Sequence, residues 1–306
     1  MHFADASRGR ELSKDPSVVF FQGRYLLYYS LSPWVNGAVP ADGLASDRWT
    51  IGIAASSDLT HWEKVGELLP DGDAEKNGLC APGARVLGEK VHLFYQTYGN
   101  GPADAICHAT SDDGVTFSRN PGNPIFRPSG TWTVGRAIDA EVFPVGDRLL
   151  LFFATRDPSF AIQKLGLAWA PLDSDFARDK WQQQIGSILV PELSWERNCL
   201  EAATILEYGG QFWMFYAGAY NNEPQQIGVA SSSDGFGWRR VSATPFLPHG
   251  APGSWNASES GHPGAFLDPQ TGRTWLFFQG NSDGGQTWYL SKIEIFWRDE
   301  KPSLIP

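Results

Sequence analysis

Five short hairpins recur along this chain, and their even spacing limits the folds that it can adopt. Each hairpin has a glycine turn that leads into a strand rich in aromatic residues. The turn glycines are Gly23, Gly88, Gly146, Gly210 and Gly272, which lie 65, 58, 64 and 62 residues apart. A near-constant period in a chain of short strands is typical of stacked or radial repeats. The five units together nearly exhaust the 306 residues.

Three of the units also show a second hairpin. In each, a run of small and branched residues ends in an aspartate, and an aromatic residue follows four positions later. These pairs are Asp58 with Trp62, Asp113 with Phe117 and Asp234 with Trp238, and we expect these turns to be structural. Short β-rich runs between turn residues predict four-stranded antiparallel blades, and radial repetition protects the edges of so many strands. We therefore predict an all-β, five-bladed β-propeller around a central funnel, formed as a single domain by residues 1–306.

The composition limits the partners and the environment of the chain. The sequence is 42% hydrophobic and 13% aromatic, which suits a turn-rich β-protein with a sizeable core. Its net charge of −10 argues against nucleic acid or a membrane as a partner, because phosphate binding needs clustered Lys and Arg. Three cysteines are too few for a disulfide framework. Without a signal-like N-terminus, we expect a cytoplasmic location, or a secreted or periplasmic one if a signal was trimmed.

The residues that open the five units carry the chemistry of the chain. They are Asp15, Cys80, Asp139, Glu201 and His262, each between 7 and 10 residues before the turn glycine of its hairpin. The inner strands of a propeller surround its axis, so residues at their starts converge at one end of the funnel. The pattern predicts that three carboxylates meet there.

Carboxylates that share a pocket repel one another, which raises the pKa of at least one of them. Glycoside hydrolysis uses such a split, because it needs a protonated acid for the leaving oxygen and an ionised partner across the sugar. Flat aromatic rings can cover the apolar face of a sugar. The aromatic residues expected in the loops near the funnel are Trp34, Trp132, Trp195 and Tyr220.

Three segments resemble the catalytic segments of glycoside hydrolase family 43, which is related to families 32, 68 and 117. They read KDPSVV at 14–19, RAIDAEVF at 136–143 and LEAA at 200–203. The resemblance implies a five-bladed propeller that acts by inversion. It makes Asp15 the general base, Asp139 the residue that tunes pKa and orientation, and Glu201 the general acid.

The same resemblance implies roles for residues around the three carboxylates. His262 corresponds to a fifth-blade histidine that faces the axial channel, where it could bind substrate or hold a structural calcium ion through water. Arg136 is expected to bind a carboxylate or a substrate hydroxyl, and Trp34 and Tyr220 to bind sugar. No cofactor is required for the chemistry, and the expected partner is a carbohydrate.

The sequence departs from the family pattern and contains rival carboxylates. Asp139 is followed by Ala140 and Glu201 by Ala202, where the family usually has proline and glycine, and Cys80 replaces a tryptophan. These departures weaken the assignment of a subfamily and a substrate more than the assignment of the chemistry. Glu141 is a rival to Asp139, and Glu192 and Glu196 are rivals to Glu201.

Three functions fit this sequence. The first is an exo-glycosidase that releases terminal L-arabinofuranosyl or D-xylosyl residues with inversion. The second is a related propeller glycosidase of family 32 or 117 type, a retaining fructosidase or a hydrolase of agar oligosaccharides. The third is a non-catalytic sugar-binding propeller. We expect the long loop at 31–49 to shape the specificity.

Overall fold

The computed structural model describes residues 1–34 and 47–305. Within them the chain forms five antiparallel sheets. The innermost strands of these sheets begin at residues 14, 79, 138, 200 and 259, and each contacts the innermost strands of the two neighbouring sheets. These five inner strands therefore close into a ring around one axis. The predicted all-β, five-bladed propeller with four-stranded antiparallel blades is confirmed.

The first four blades run outward from the axis in chain order. Blade one contains β2 (Lys14–Phe21), β3 (Arg24–Leu31), β4 (Thr50–Ser56) and β5 (Glu63–Leu68). Blade two contains β6 (Leu79–Leu87), β7 (Lys90–Thr97), β8 (Ile106–Ser111) and β9 (Ser118–Arg119). Blade three contains β10 (Ile138–Val145), β11 (Arg148–Arg156), β12 (Gln163–Pro171) and β13 (Gln182–Gln183). Blade four contains β14 (Leu200–Tyr208), β15 (Gln211–Gly218), β16 (Gln226–Ser232) and β17 (Arg239–Arg240).

The fifth blade joins the two ends of the chain. It contains β18 (Glu259–Leu267), β19 (Thr274–Asn281) and β20 (Tyr289–Arg298), and its outer strand is the N-terminal β1 (His2–Phe3). A short β21 (Lys301–Ser303) also pairs with β20. The N-terminal segment thus closes the ring by completing the last blade. A helix of one turn, α1 (Gly72–Glu75), precedes blade two.

The hydrophobic core lies between the blades. The aromatic residues of the three aspartate turns each contact a ring of the preceding blade: Trp62 packs on Phe277, Phe117 on Tyr28 and Trp238 on Phe152. Each turn aspartate accepts backbone N–H groups of the residues that follow it. These turns therefore have a structural role, as the sequence predicted.

Every inner strand carries a β-bulge at the same level. In each, two consecutive residues face one residue of the neighbouring strand, and the first of the two has a positive φ. These first residues are Asp15, Ala81, Asp139, Ala202 and His262, with φ of 56°, 49°, 53°, 52° and 45°. A non-glycine residue in this region is strained, and such strain is concentrated at functional sites. The five bulges form one ring around the axis.

A second ring of contacts joins neighbouring blades, two positions after the first residue of each bulge. There Ser17 accepts the N–H of Ala84 at 2.9 Å, and Thr204 accepts that of Ala265 at 3.0 Å. Blades two and five have glycines at this level because the neighbouring strand leaves no room for a side chain. A Cβ on Gly83 would lie 2.0 Å from the Ala140 carbonyl oxygen, and one on Gly264 would lie 2.2 Å from that of Pro16.

No helix in the described part of the chain is long and apolar enough to cross a membrane. The loop at 31–49, which the sequence analysis expects to shape specificity, lies largely outside the described residues, since 35–46 are not among them.

Candidate active site

The ring of bulges brings Asp15, Asp139 and His262 together, as the sequence predicted, and places Glu201 beside them. The register differs from the sequence alignment in two blades. Ala81 and Ala202 occupy the bulge, so Cys80 and Glu201 each lie one residue before it. The carboxylate of Glu201 therefore approaches the site from a different strand position from those of Asp15 and Asp139. Gly88 is the first residue of its turn whereas Gly23 is the second of its turn, so Cys80 and Asp15 have the same offset from their glycines, which hides the shift in blade two.

His262 lies between the two aspartates. Its Nε2 is 3.3 Å from Oδ1 of Asp15 and 3.4 Å from Oδ1 of Asp139. Burial alone would lower the pKa of His262, but the charges of Asp15 and Asp139 outweigh burial and raise it to about 9. The imidazole is therefore a cation at neutral pH, and it joins the two carboxylates.

Glu201 is 7% exposed and has an amide donor on each of its oxygens. Gln225 donates from Nε2 to Oε1 at 2.6 Å, and Gln163 donates from Nε2 to Oε2. Burial, followed by the charge of Asp139, raises the pKa of Glu201. This carboxyl thus has the shifted pKa that a general acid needs.

Other hydrogen bonds fix the orientation of both amides. Oε1 of Gln225 accepts the backbone N–H of His262 at 3.1 Å, and its Nε2 also donates to the carbonyl of Ala219 at 3.0 Å. Oε1 of Gln163 accepts from Nη1 of Arg136 at 3.2 Å and from Nε of Arg156 at 3.1 Å. If either amide were flipped, its NH₂ group would point at the N–H donors that its oxygen now accepts. Both glutamines must therefore present N–H groups to Glu201.

Polar side chains of neighbouring blades hold the bulges in place. The N–H of Asp139 donates to Oε1 of Gln96 at 2.8 Å, and that of Asp15 donates to Oε1 of Gln279 at 3.0 Å. Ser30 accepts the N–H of Ala81 at 2.7 Å and donates to Oδ2 of Asp15 at 2.5 Å. The sequence analysis missed these residues. The available signal was a polar residue near the end of each of three aromatic strands.

A buried pair of opposite charges, Lys14 and Glu259, lies next to these carboxylates. Burial lowers the pKa of Lys14, but the charges of Asp15, Glu259 and Glu201 outweigh it and raise that pKa. Burial raises the pKa of Glu259 to about 7, against the charge of Lys14. Nζ of Lys14 also lies 4.4 Å from the ring centroid of Trp288. Lys14 thus supplies positive charge to the carboxylate cluster.

The predicted substrate contacts meet different outcomes. Arg136 and Tyr220 lie near Glu201: Arg136 donates to Gln163, and the charge of Glu201 contributes to the raised pKa of Tyr220, after burial. Trp34 contacts Arg8, with the guanidinium 5.0 Å from its ring centroid, and within the described residues it makes no hydrogen bond to the three carboxylates.

The other two tryptophans expected near the funnel pack against the core. Trp132 contacts Phe153, and Trp195 stacks on Tyr216 with ring centroids 6.0 Å apart. Both rings fill space beside small residues of the neighbouring strands. The structure therefore gives them a packing role in place of the expected contact with a sugar.

The rival carboxylates have structural roles. Oε1 of Glu141 accepts the N–H of Ile205 at 3.2 Å, which joins blades three and four below the bulge. Burial, against the charge of Arg85, raises the pKa of Glu141 to about 7. Glu196 is fully buried and pairs with Arg240 at 2.7 Å, and Glu192 pairs with the same arginine. Among the described residues, the side chains of these three share no hydrogen-bond partner with those of Asp15, Asp139 and Glu201.

A cavity of about 590 Å³ follows the propeller axis below the site. Its upper end is lined by Asp139 and His262, and its lower end by the turn residues Gly209 and Gly210. The ring of bulges therefore forms the floor of the funnel and the roof of this cavity.

The surroundings of His262 do not suit the calcium ion that the sequence resemblance implies. Calcium takes about six to eight oxygen ligands. The protonated Nε2 of His262 is engaged with Asp15 and Asp139. Among the described residues no group of three or more His, Cys, Asp or Glu is arranged to hold a metal. The chemistry proposed below is therefore derived from the side chains alone.

Comparisons with solved structures agree with this architecture. A thermostable family-43 glycoside hydrolase superposes with a TM-score of 0.73 at 19% identity, over 98% of this chain and 95% of that protein. The α-L-arabinofuranosidase of Lactobacillus brevis superposes with a TM-score of 0.70 at 14% identity, over 95% and 94% of the two chains. Likeness at this identity shows the shared fold.

Comparison with curated proteins gives a partial match. Sucrose-6-phosphate hydrolase of Zymomonas mobilis is 33% identical over 114 residues, which cover 34% of this chain. The match spans only 21% of that relative's own length.

The family model described as glycosyl hydrolases family 43 matches residues 9–299, which include the inner strands of all five blades and every site residue described above. The chain therefore belongs to glycosyl hydrolase family 43.

Proposed function

We propose that this protein is an inverting exo-glycosidase that releases terminal L-arabinofuranosyl or D-xylosyl residues. The main support is one arrangement: His262 joins Asp15 to Asp139, while two amides of fixed orientation hold Glu201 beside them. The site thus contains a carboxylate paired with a cation and a carboxyl group with a raised pKa. These are the two species that glycoside hydrolysis requires.

Glu201 serves as the general acid. Its raised pKa keeps a proton available, and each of its oxygens already accepts one amide N–H. The acid proton therefore occupies one of the remaining lone pairs, from which it passes to the glycosidic oxygen as the bond to the anomeric carbon breaks. The leaving group departs as an alcohol, and Glu201 becomes an ion that the two amides stabilise.

Asp15 serves as the general base. It accepts a proton from a water molecule whose oxygen forms the new bond to the anomeric carbon, on the face opposite the leaving group, which inverts the configuration. Asp139 touches neither transferred proton in this scheme. It positions His262, and its charge helps to keep Glu201 protonated.

The sugar preference rests on family membership and on the arabinofuranosidase among the structural relatives. A panel of aryl glycosides, led by α-L-arabinofuranoside and β-D-xyloside, tests it, with proton NMR to identify the first anomer released. Glu201→Gln should lower turnover of a substrate with an alcohol leaving group by about 10²- to 10⁴-fold, the usual contribution of one acid–base group, and should cost less with an activated aryl glycoside, whose leaving group needs little protonation. Glu207→Gln, at the other end of β14, is the matched control.

Two outcomes would contradict this proposal. Release of the retained anomer would make Asp15 a nucleophile. Binding of a sugar without turnover, unchanged in Glu201→Gln, would indicate a non-catalytic sugar-binding propeller.

A second candidate, a retaining fructosidase, is favoured by the partial match to sucrose-6-phosphate hydrolase. The same carboxylates would act, with Asp15 attacking the anomeric carbon and Glu201 as the acid. Hydrolysis of sucrose or sucrose 6-phosphate, with retention at the fructosyl centre and no activity on arabinofuranosides, would select this function over the first.

A further inference from the structure

Two guanidinium groups meet at one oxygen atom beside the proposed acid. Nη1 of Arg136 and Nε of Arg156 both donate to Oε1 of Gln163, at 3.2 Å and 3.1 Å. The other end of the same amide donates to Glu201. Two cations therefore lie one side-chain amide away from the carboxyl that protonates the leaving group.

The two arginines differ in their counter-charges. Nε of Arg136 lies 3.6 Å from Oδ2 of Asp104. Arg156 has no carboxylate within 4.0 Å in the described part of the chain, and the acceptors of its hydrogen bonds there are the neutral oxygens of Gln163 and Phe160. A partly buried charge without a counter-ion is costly unless a ligand compensates it. In a protein of net charge −10, this local excess of positive charge is an exception.

Aromatic rings hold the guanidinium of Arg156. Its central carbon lies 4.3 Å from the ring centroid of Phe160 and 5.1 Å from that of Tyr220. Stacked rings cover the faces of a guanidinium and leave its edge for acceptors in its plane, which suits the paired oxygens of a carboxylate or phosphate. Burial is the main cause that raises the pKa of Tyr220 to about 12, so its hydroxyl is neutral.

We propose that Arg156, with Arg136 beside it, binds an oxyanion on the leaving-group side of the scissile bond. The preferred substrates then carry a carboxylate or phosphate on the unit next to the released sugar. The leaving-group side follows from Glu201, because the acid protonates the oxygen of the leaving group. This placement rests on the proposed function of Glu201, whereas the oxyanion site itself rests on the arginines.

Paired substrates test the inference by turnover. Hydrolysis of 4-nitrophenyl and 3-carboxy-4-nitrophenyl glycosides of the same sugar gives an acidic-to-neutral ratio of kcat/KM for each variant. We expect Arg156→Gln to lower this ratio about tenfold or more, since a charge-assisted hydrogen bond is lost. Arg156→Lys should recover part of the loss. Arg148→Gln, at the opposite end of β11 and 51% exposed, should leave the ratio unchanged.

A binding assay tests the site without turnover. Calorimetric titration with D-glucuronate, D-glucose 6-phosphate and neutral D-glucose separates the carboxylate from the phosphate. The oxyanion site is supported if either acid binds more tightly than glucose and this binding is lost in Arg156→Gln. The acid that binds then shows whether the site takes a carboxylate or a phosphate.

The outcomes keep this inference separate from the proposed function. The oxyanion site would be overturned if Arg156→Gln did not change the acidic-to-neutral ratio and neither acid bound more tightly than glucose. Turnover of neutral glycosides in the same experiments would leave the glycosidase proposal intact. A silent substrate panel with Arg156-dependent binding of an acid would support the site and refute the acid role of Glu201.

Discussion

Gln225 contacts Glu201 with one end of its amide and holds the bulge of His262 with the other. Its Nε2 lies 2.6 Å from Oε1 of Glu201, while its Oε1 accepts the N–H of His262 at 3.1 Å. The two inner strands of blades four and five are therefore linked through one side chain. The position of the proposed acid depends on the same amide that holds the neighbouring bulge.

Replacing Gln225 should alter both the rate and the pH profile. Gln225→Met removes a donor that lowers the pKa of Glu201, so the alkaline limb of kcat/KM should move to higher pH. It also leaves the N–H of His262 unpaired, and we expect kcat/KM to fall about tenfold or more, in line with about 1–3 kcal/mol for an unsatisfied buried group. Gln286→Met, in an exposed turn, is the control. An unchanged pH profile would exclude this role of Gln225.

Asp139→Asn should shift the same limb in the opposite direction. The charge of Asp139 raises the pKa of Glu201, so its removal allows Glu201 to lose its proton at lower pH. The alkaline limb of kcat/KM should therefore move to lower pH, with a reduced maximum because His262 loses one of its carboxylates. The measurement is kcat/KM on an aryl glycoside from pH 4 to 10, with Asp147→Asn as control. A limb that stays in place would separate Asp139 from the titration of Glu201.

His262 should make stability depend on alkaline pH. Its pKa is about 9 in the folded protein against an ordinary value of 6.5, so the folded state binds the proton more tightly. The resulting stabilisation, about 3 kcal/mol, is complete below about pH 6.5 and is lost as the pH rises through about 9. Urea unfolding at pH 6 to 10 should show this loss in wild type and a flatter curve in His262→Gln. The exposed His61→Gln should follow wild type, and equal slopes in all three proteins would contradict the assignment.

The glycines next to the axis should not tolerate a side chain. Gly83→Ala and Gly264→Ala would each place a Cβ within 2.2 Å of a carbonyl oxygen in the neighbouring blade, and a backbone must move to relieve the contact. We expect each to lower the free energy of unfolding by about 2 kcal/mol or more. Gly237→Ala, which meets only a side-chain atom at 4.0 Å, is the control. The measurement is the denaturant midpoint of each variant. Midpoints equal to that of the control would show that the inner strands can move apart without a loss of stability.

Much of the fold could be predicted from local patterns. The turn glycines and the aromatic strands after them mark the hairpins, because a tight turn and a half-buried strand each impose their own residue types within a few positions. The aspartate turns were likewise predicted as structural, and their aromatic residues do pack between blades.

The alignment of the site was less predictable. Counting from the turn glycines placed Cys80 and Glu201 at the level of Asp15, whereas the structure has Ala81 and Ala202 in the bulge. All five inner strands carry the bulge, but Gly88 is the first residue of its two-residue turn and Gly23 the second, so equal counts from these two glycines reach positions one residue apart.

The sequence by itself determined the repeat, the inner hairpin of each blade and the three carboxylates near the starts of the inner strands. Only the tertiary structure decided what surrounds them. Gln163 and Gln225 lie 38 and 24 residues from Glu201, and Gln279 lies 264 residues from Asp15. The contacts of Gln163 and Gln279 arise when the ring closes and neighbouring blades meet, whereas Gln225 contacts Glu201 within blade four. All three contacts join residues that are too distant in sequence for a local pattern to record. The charges that keep Glu201 protonated and His262 cationic come from the same closure, since a pKa depends on burial and on charges that lie close in space rather than in sequence.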